Sequence, residues 1–206
     1  MDISEFSGLI KNLQVERHSV TTKFSRWENY FGVNRPAEVD QLFGSSPEIK
    51  ISRKDIFSIE SLKKKIYMTI FWGYPNGMRN NYHQLIFNQI EDIKDKLGQA
   101  SIIRNWDQEI LTVNFSGLGF STYSKLLYFT KSTINSNVAL ILDNRIIECI
   151  SKGTFSNFDD LRQITYNNAS RLYPKYLSTM KDLAQQLKVD GDQIELFLFL
   201  FGNSIK

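Results

Sequence analysis

The chain has 206 residues, of which 42% are hydrophobic and 13% aromatic, so it can bury one well-packed core. The single cysteine, Cys149, excludes an internal disulfide, a zinc site of four thiolates and an iron–sulfur cluster held by this chain alone. The two histidines, His18 and His83, do not stand at a metal-ligand spacing, so we expect neither a metal nor a cofactor. A formal net charge of +3 neither requires nor excludes a polyanionic partner.

The two ends of the chain carry no membrane or export signal. Residues 1–5 lack the basic and apolar regions of a secretory signal, and the longest apolar run, 196–201, is too short to span a bilayer. We therefore expect a soluble, cytoplasmic protein with no membrane contact.

Apolar residues recur at helical spacing along most of the chain. They predict helices at 3–13, 55–72, 85–97, 107–114, 158–172, 174–187 and 192–201, and another after the glycines at 117–119 that runs through 125–129. Gly98 is predicted as a C-terminal cap, and Pro174 as a residue of a first helical turn. Residues 34–52 resemble an ordered loop or linker, 73–77 break the helical pattern, and 131–137 form a polar gap. No sustained alternating pattern indicates strands, so the predicted class is all-α.

Residues 115–119 contain a glycine turn between two predicted helices. Gly117 and Gly119 allow a tight turn and the close approach of backbone to a ligand. The helix that follows offers free N–H groups and a positive dipole end to a phosphate. Hydroxyl donors follow directly, at Ser121, Thr122 and Ser124. An ordinary interhelical turn is the commoner outcome for so short a motif.

Lys125 and Asp143 are the candidate catalytic pair. Asp143 follows the apolar run 138–142, where a carboxylate is costly to bury unless it is paired or used. The alternative is that Asp143 caps the helix that begins at Asn144, and both roles can hold at once. The alternative for Lys125 is a solvated surface lysine.

Four blocks carry a resemblance to a known family. They are residues 72–79 (WGYPNGMR), 117–127 (GLGFSTYSKLL), 142–146 (LDNRI) and 192–199 (DQIELFLF). In this order they resemble the helix-hairpin-helix DNA glycosylases, and within them the bacterial branch similar to 8-oxoguanine DNA glycosylases. The blocks cover about the last two-thirds of the chain, and the combination is more specific than any one block.

The resemblance implies a two-lobed helical fold with DNA across the cleft and the target base flipped into a pocket. Within one domain, 1–206, the middle lobe would comprise about 55–133 with the hairpin, and the outer lobe 1–54 and 134–206. The resemblance also implies a lysine nucleophile and an aspartate near the sugar, which we carry over to Lys125 and Asp143.

The position of the lysine departs from the familiar pattern. Familiar members place it just after the hairpin glycines, where this chain has Ser121, whereas Lys125 lies six residues past Gly119. Its interval to Asp143, however, is close to the interval of the family. Monofunctional relatives that lack a lysine nucleophile leave a monofunctional enzyme as the alternative.

Aromatic and arginine side chains are the candidates for contact with the base and the backbone of DNA. Aromatic rings commonly hold a flipped base, and core packing is the alternative for at least half of those considered. Arginines contact phosphates or base edges, and structural salt bridges are the alternative. The candidates are Trp72, Tyr74, Arg79, Tyr123 and Phe197 for the base pocket, and Arg145 for DNA. The lysines at 63–65 are interpreted as a solvated helix face.

These features together predict a monomeric DNA glycosylase that excises a modified base from double-stranded DNA, with or without lyase activity. Repair of oxidised guanine ranks slightly ahead, and excision of a hypermodified base from phage DNA in antiviral defence is the alternative. A non-catalytic helix-hairpin-helix DNA-binding module and a helical protein-interaction domain are the competing classes.

Overall fold

The structure is a computed structural model that describes residues 1–31, 36–78 and 82–205. In this part of the chain, helices dominate. They are α1 (Ser7–Lys11), α2 (Glu28–Phe31), α3 (Ala37–Phe43), α4 (Arg53–Ser58), α5 (Leu62–Gly73), α6 (Tyr82–Asn88), α7 (Ile90–Gln99), α8 (Trp106–Thr112), α9 (Phe120–Phe129), α10 (Asn144–Ser151), α11 (Ala169–Leu187) and α12 (Gly191–Phe197). Short 3₁₀ turns lie at Ile3–Phe6, Val15–Arg17, Phe24–Arg26 and Ser156–Leu161, and a π-helical turn, Leu198–Gly202, extends α12.

The helical class is confirmed, but the fold also contains two small sheets that the sequence analysis missed. Strands β1 (Ser19–Lys23) and β2 (Glu48–Ser52) pair antiparallel, with Val20 opposite Ile51. Strands β3 (Ile102–Ile103), β4 (Thr133–Ile134) and β5 (Asn137–Val138) form the second sheet in that order. Each strand has at most five residues, which is too short for alternation to stand out in the sequence.

The segment predicted as a loop or linker, 34–52, is largely regular structure. Its described part, from residue 36 onward, contains α3 and β2. In β2, Ile51 is fully buried while Glu48 and Lys50 are exposed, so one face of the strand packs inward. The two prolines that suggested a linker lie outside these elements, Pro36 as the residue before α3 and Pro47 just before β2.

Several helix boundaries also differ from the predictions. The helix predicted at 55–72 is divided into α4 and α5, because Ile59 is extended and Ser61 caps α5 through a bond to the Lys64 amide. Gly98 lies inside α7, whose C-terminal cap is Ala100.

Pro174 lies in the interior of α11 rather than in its first turn, because α11 begins at Ala169. A proline at this position cannot donate to the carbonyl of Ser170, four residues earlier. The indole Nε1 of Trp106 donates to that carbonyl at 2.7 Å instead. The side chain from α8 thus supplies the hydrogen bond that the proline removes, and the helix continues.

Helices α5 and α9 pack against each other in the core. Every residue from Ile66 to Trp72 is buried, as is every residue from Thr122 to Phe129. Helices buried on almost all sides are rigid supports, and these two hold Trp72 and Lys125 in place. The division into two lobes stays a prediction. Among the described residues, no helix is both long and apolar enough to cross a membrane.

Candidate active site

The glycine turn before α9 has the tight geometry that its sequence predicted. Gly117 has a φ of +80°, and a Cβ atom there would lie 2.7 Å from the carbonyl oxygen of Tyr82. Only glycine fits both the conformation and the space. Gly119 is the N-terminal cap residue of α9 and has no side chain to bond the first N–H groups of the helix.

This turn forms one wall of an open groove of about 710 Å³. Tyr74 and Met78 line it beside the two glycines, and the half-exposed Tyr166 places its hydroxyl against Gly119. A Cβ atom on Gly119 would overlap that hydroxyl. The N-terminus of α9 therefore opens onto a groove rather than into the core.

Lys125 lies in the second turn of α9 and is only 5% exposed, so it is not a solvated surface lysine. Its Nζ donates to the Oγ of Ser121 at 2.8 Å and to the Ser121 carbonyl at 3.3 Å, since residues four apart share one face of a helix. The lysine stem passes over Gly73, where a Cβ atom would come within 3.2 Å of the lysine Cδ. Gly73 leaves the room that this buried side chain needs, and the sequence analysis did not anticipate this role.

Asp143 is the N-terminal cap of α10, and its two oxygens have different partners. Oδ1 accepts hydrogen bonds from the amides of Arg145 and Ile146 at 3.0 and 3.2 Å. Oδ2 lies 3.9 Å from Nζ of Lys125. The capping role and the pairing with Lys125 therefore occur together, as the sequence analysis allowed.

Ser124 holds the segment that carries Asp143 against α9. Its Oγ accepts from the amide of Leu142 at 3.1 Å and donates to the carbonyl of Ser121 at 3.0 Å. This hydroxyl spans eighteen residues of sequence and brings Asp143 next to Lys125.

The surroundings of Lys125 shift its pKa downward. Burial is the main cause that lowers the pKa of this lysine below its ordinary value of 10.5. The carboxylates of Asp143 and Glu195 oppose the shift, and the Arg53 guanidinium adds to it, but the net direction is downward.

Lys125 and Asp143 both line a partly enclosed cavity of about 160 Å³. Trp72 lies in its wall, as predicted for a base-pocket residue, although its role there stays a prediction. The wall residues that were not among the sequence candidates include two charged and two aromatic-ring side chains: Arg53, Glu195, His18 and Phe199. Residues from five separate parts of the chain thus converge on the lysine.

Arg53 and Glu195 form a fully buried ion pair in the wall of this cavity. The Arg53 Nη1 and Nη2 atoms donate to the two Glu195 oxygens at 2.6 and 3.1 Å, and Nη1 also donates to the Tyr128 hydroxyl at 3.2 Å. Burial raises the pKa of Glu195, and Arg53 opposes that rise. The sequence contained a signal for Glu195, because this residue, like Asp143, is a carboxylate next to an apolar run.

His18 and Phe199 complete the aromatic part of the wall. The His18 ring lies edge-on to Trp72 at 5.2 Å and 5.5 Å from the ring of Phe199. Burial, with a contribution from Arg53, lowers the pKa of His18 to about 4. The imidazole is therefore neutral at pH 7.

Several predicted DNA contacts are used inside the protein instead. The Thr122 hydroxyl is buried and shares a 2.6 Å hydrogen bond with the Tyr74 hydroxyl, and Ser124 is fully buried. We correct both predictions, because a buried hydroxyl with protein partners does not reach a phosphate. Ser121 contacts Lys125. Arg145 is exposed, with its guanidinium 5.0 Å from the centre of the Phe199 ring.

Two predicted base-pocket residues belong to the core. Tyr123 is buried and donates to Glu109, and Phe197 is buried between Phe6 and Phe155. Neither lines the cavity at Lys125, so core packing, the alternative considered for these aromatics, applies to them. Tyr74 lines the groove rather than the cavity. Arg79 lies outside the described residues.

Comparison with known proteins identifies the family. Residues 13–199 match the model of a family described as "Putative 8-oxoguanine DNA glycosylase OGG-like protein". The chain belongs to this family. No curated protein and no solved structure matches it. Membership in the OGG-like family makes the protein a DNA glycosylase at the general level, with DNA as its substrate. The match spans both the Lys125–Asp143 pair and the Arg53–Glu195 pair.

Proposed function

We propose that this protein is a bifunctional DNA glycosylase and lyase, with Lys125 as the nucleophile and Asp143 as the carboxylate beside the sugar. The observation that carries the proposal is the pair itself. A buried lysine with a lowered pKa lies 3.9 Å from a carboxylate oxygen, in the wall of a cavity. Perturbed titratable groups that converge in a cleft are typical of catalytic sites.

Cleavage of an N-glycosidic bond passes through a state in which the sugar carries positive charge. In this proposal Oδ2 of Asp143, which faces Lys125, stabilises that charge, while Oδ1 stays bound to the helix. The neutral Lys125 amine then forms a bond to the anomeric carbon as the bond to the base breaks. The departing base takes up the proton that the amine loses. Opening of the sugar ring leaves a Schiff base between Lys125 and the DNA.

A lysine can attack only as the neutral amine and only from the right position, and the surroundings of Lys125 bear on both requirements. Burial lowers the pKa of Lys125, which increases the neutral fraction near pH 7. The Ser121 hydroxyl, at 2.8 Å, fixes the position of Nζ.

The groove and the exposed surface around the pair supply a place for the DNA backbone. The N-terminus of α9 has no side-chain cap and opens onto the groove, which suits a phosphate. Arg145 is exposed directly after Asp143 and is our candidate for a second phosphate contact. Both are proposals about DNA binding.

The description of the family places 8-oxoguanine first among the bases to test. A hypermodified base of phage DNA, excised in antiviral defence rather than in repair, is the alternative substrate. The paired Lys125 and Asp143 favour an enzyme over a non-catalytic DNA-binding module, because a binding module has no use for a buried lysine.

Base release from a panel of duplexes with different modified bases tests the proposal. The wild-type protein should release one of these bases, and borohydride should trap a covalent protein–DNA adduct. Lys125→Ala should abolish trapping, whereas Lys181→Ala, at an exposed lysine of α11, should retain it. If Lys125→Ala still releases base, the enzyme is monofunctional and water is the nucleophile. Release from no duplex would favour the binding module.

A further inference from the structure

Three residues that line the Lys125 cavity each carry one buried polar atom without a hydrogen-bond partner among the described residues. These atoms are Nδ1 of His18, Nε of Arg53 and Nε1 of Trp72. A buried donor without a partner costs free energy, so buried polar groups are almost always satisfied. Three unsatisfied groups that share one cavity indicate a ligand that satisfies them.

The geometry of Arg53 shows what kind of group would do so. Its Nη1 donates to Glu195 and Tyr128, and its Nη2 donates to Glu195. The remaining N–H groups are Nε–H and one N–H of Nη2, which lie on the same edge of the planar guanidinium. The bidentate contact with Glu195 fixes that edge in orientation. Arg53 therefore presents two parallel donors, and such a fork matches two adjacent acceptors.

We propose that Arg53 is a specificity residue that reads two adjacent hydrogen-bond acceptors on the edge of the flipped base. This proposal rests on the proposed glycosylase function. Trp72, His18 and Phe199 supply aromatic walls for the ring, and the Trp72 indole supplies a third donor. Lys125 and Asp143 line the same cavity, so a base held by Arg53 keeps its glycosidic bond near the catalytic pair.

The size of the cavity narrows the choice of base. Its volume of about 160 Å³ is similar to that of an engineered cavity of roughly 150 Å³ that binds benzene, so it suits one six-membered ring. Cytosine is a single ring with adjacent acceptors, O2 and N3. Uracil and thymine have an N–H between their two carbonyls, and 8-oxoguanine has an N–H at N7 between its carbonyls. The fork therefore favours a modified cytosine with an intact O2–N3 edge over 8-oxoguanine.

Free cytosine and free uracil form a matched pair of probes, because they are nearly equal in size and differ at this edge. Saturation-transfer NMR on the full chain should show cytosine binding at least about tenfold more tightly than uracil, as expected for one good bidentate contact. Equal binding, tighter binding of uracil or 8-oxoguanine, or no binding of cytosine would overturn the proposal.

Variants assign the preference to Arg53. Arg53→Lys keeps a positive charge opposite Glu195 but removes the fork, so the ratio of cytosine to uracil affinity should fall to about one. Arg162→Lys makes the same change at an exposed arginine paired with Asp159 and should keep the wild-type ratio. A ratio unchanged in a folded Arg53→Lys protein would refute the role of Arg53. If that variant does not fold, the comparison of cytosine and uracil binding by the wild-type protein tests the proposal by itself.

A second reaction separates this proposal from the proposed function. Borohydride trapping on a duplex with an abasic site needs Lys125 but no base. If the protein is trapped on the abasic duplex but does not prefer cytosine, only the proposed role of Arg53 is contradicted. A cytosine preference without trapping would remove only the role of Lys125 as nucleophile.

Discussion

Asp143 combines a structural role with a proposed catalytic one. Oδ1 caps α10, and Oδ2 faces the amine of Lys125. The sequence could predict this pair because an aspartate after an apolar run demands a partner. The hydrogen bond from the Leu142 amide to Ser124, which brings Asp143 next to Lys125, could not be predicted. Serine hydroxyls form such contacts without any pattern in the sequence.

The two roles of Asp143 can be separated by substitution. Asp143→Asn keeps an oxygen for the cap but loses the charge, so base release should fall on the order of 10²–10³-fold with little change in stability. Asp143→Ala should also lower the free energy of unfolding by about 1 kcal/mol. Base-release rates and thermal denaturation measure the two effects. Wild-type activity in Asp143→Asn would contradict the role of the charge.

The lowered pKa of Lys125 predicts a pH dependence for borohydride trapping on an abasic duplex. The rate should rise with pH as the amine loses its proton, and the midpoint of the rise should lie below the ordinary lysine pKa of 10.5. Asp143 raises the pKa of Lys125, so Asp143→Asn should move the rise to lower pH. The trapping rate as a function of pH gives the midpoint of the rise for the wild type and for Asp143→Asn. A rise centred at 10.5 in the wild type would disprove a buried, neutral lysine.

Burial of Lys125 also lowers stability at neutral pH. Because its pKa is lower in the folded state, the unfolded state binds more protons between that pKa and 10.5, and stability increases with pH across this window. Lys125→Met should raise the free energy of unfolding by about 0.5–2 kcal/mol near neutral pH, a gain that shrinks toward pH 10.5. Denaturant unfolding at several pH values tests this, with Lys181→Met as the control that changes little.

At the scale of elements, helical spacing predicted most of the helices, and the breaks were harder to place. Ile59 and Leu62 fit one helical stripe, yet the chain is extended between α4 and α5 because Ser61 begins a new helix. Pro174 was misplaced for a tertiary reason, since the bond from Trp106 to Ser170 cannot be seen in the local sequence. The short strands escaped because pairing between distant segments forms them.

Substitutions of two glycines in different surroundings test whether the turn at Gly117 is constrained. Gly117→Ala should destabilise the protein by about 1–3 kcal/mol, because of its positive φ and its contact with the Tyr82 carbonyl. Gly98→Ala lies in α7, where a Cβ atom meets nothing within 4 Å, and should stabilise it by about 0.4–1 kcal/mol. Thermal and denaturant unfolding measure both. Equal effects would show that the Gly117 turn is not constrained.

At the scale of the whole molecule, the site depends on contacts between remote parts of the chain. Arg53, at the start of α4, pairs with Glu195 of α12 across 142 residues of sequence. His18 comes from the residue before β1, and Phe199 from the turn after α12. Such convergence is a property of the tertiary fold. The sequence could therefore point to the proposed catalytic pair through family resemblance, but it did not predict that His18, Arg53, Glu195 and Phe199 line the same cavity.

Contacts between remote parts of the chain also decide which predicted aromatic residues line the cavity. Trp72 and Phe197 both lie in apolar segments, but only Trp72 borders the cavity, while Phe197 turns toward Phe6 and Phe155. Phe199, two residues further on, lines the cavity instead. Without the packing of α12 against its neighbours, the sequence offers no reason to choose between them.

The central claim, that Lys125 is the nucleophile, is tested most directly by locating the covalent bond. The wild-type protein is reduced with borohydride on a duplex that contains an abasic site, the adduct is digested, and the modified peptide is sequenced by mass spectrometry. We predict the sugar remnant on Lys125 and no adduct in Lys125→Ala. A remnant on any other lysine, or an equal yield of adduct in Lys125→Ala, would contradict the assignment.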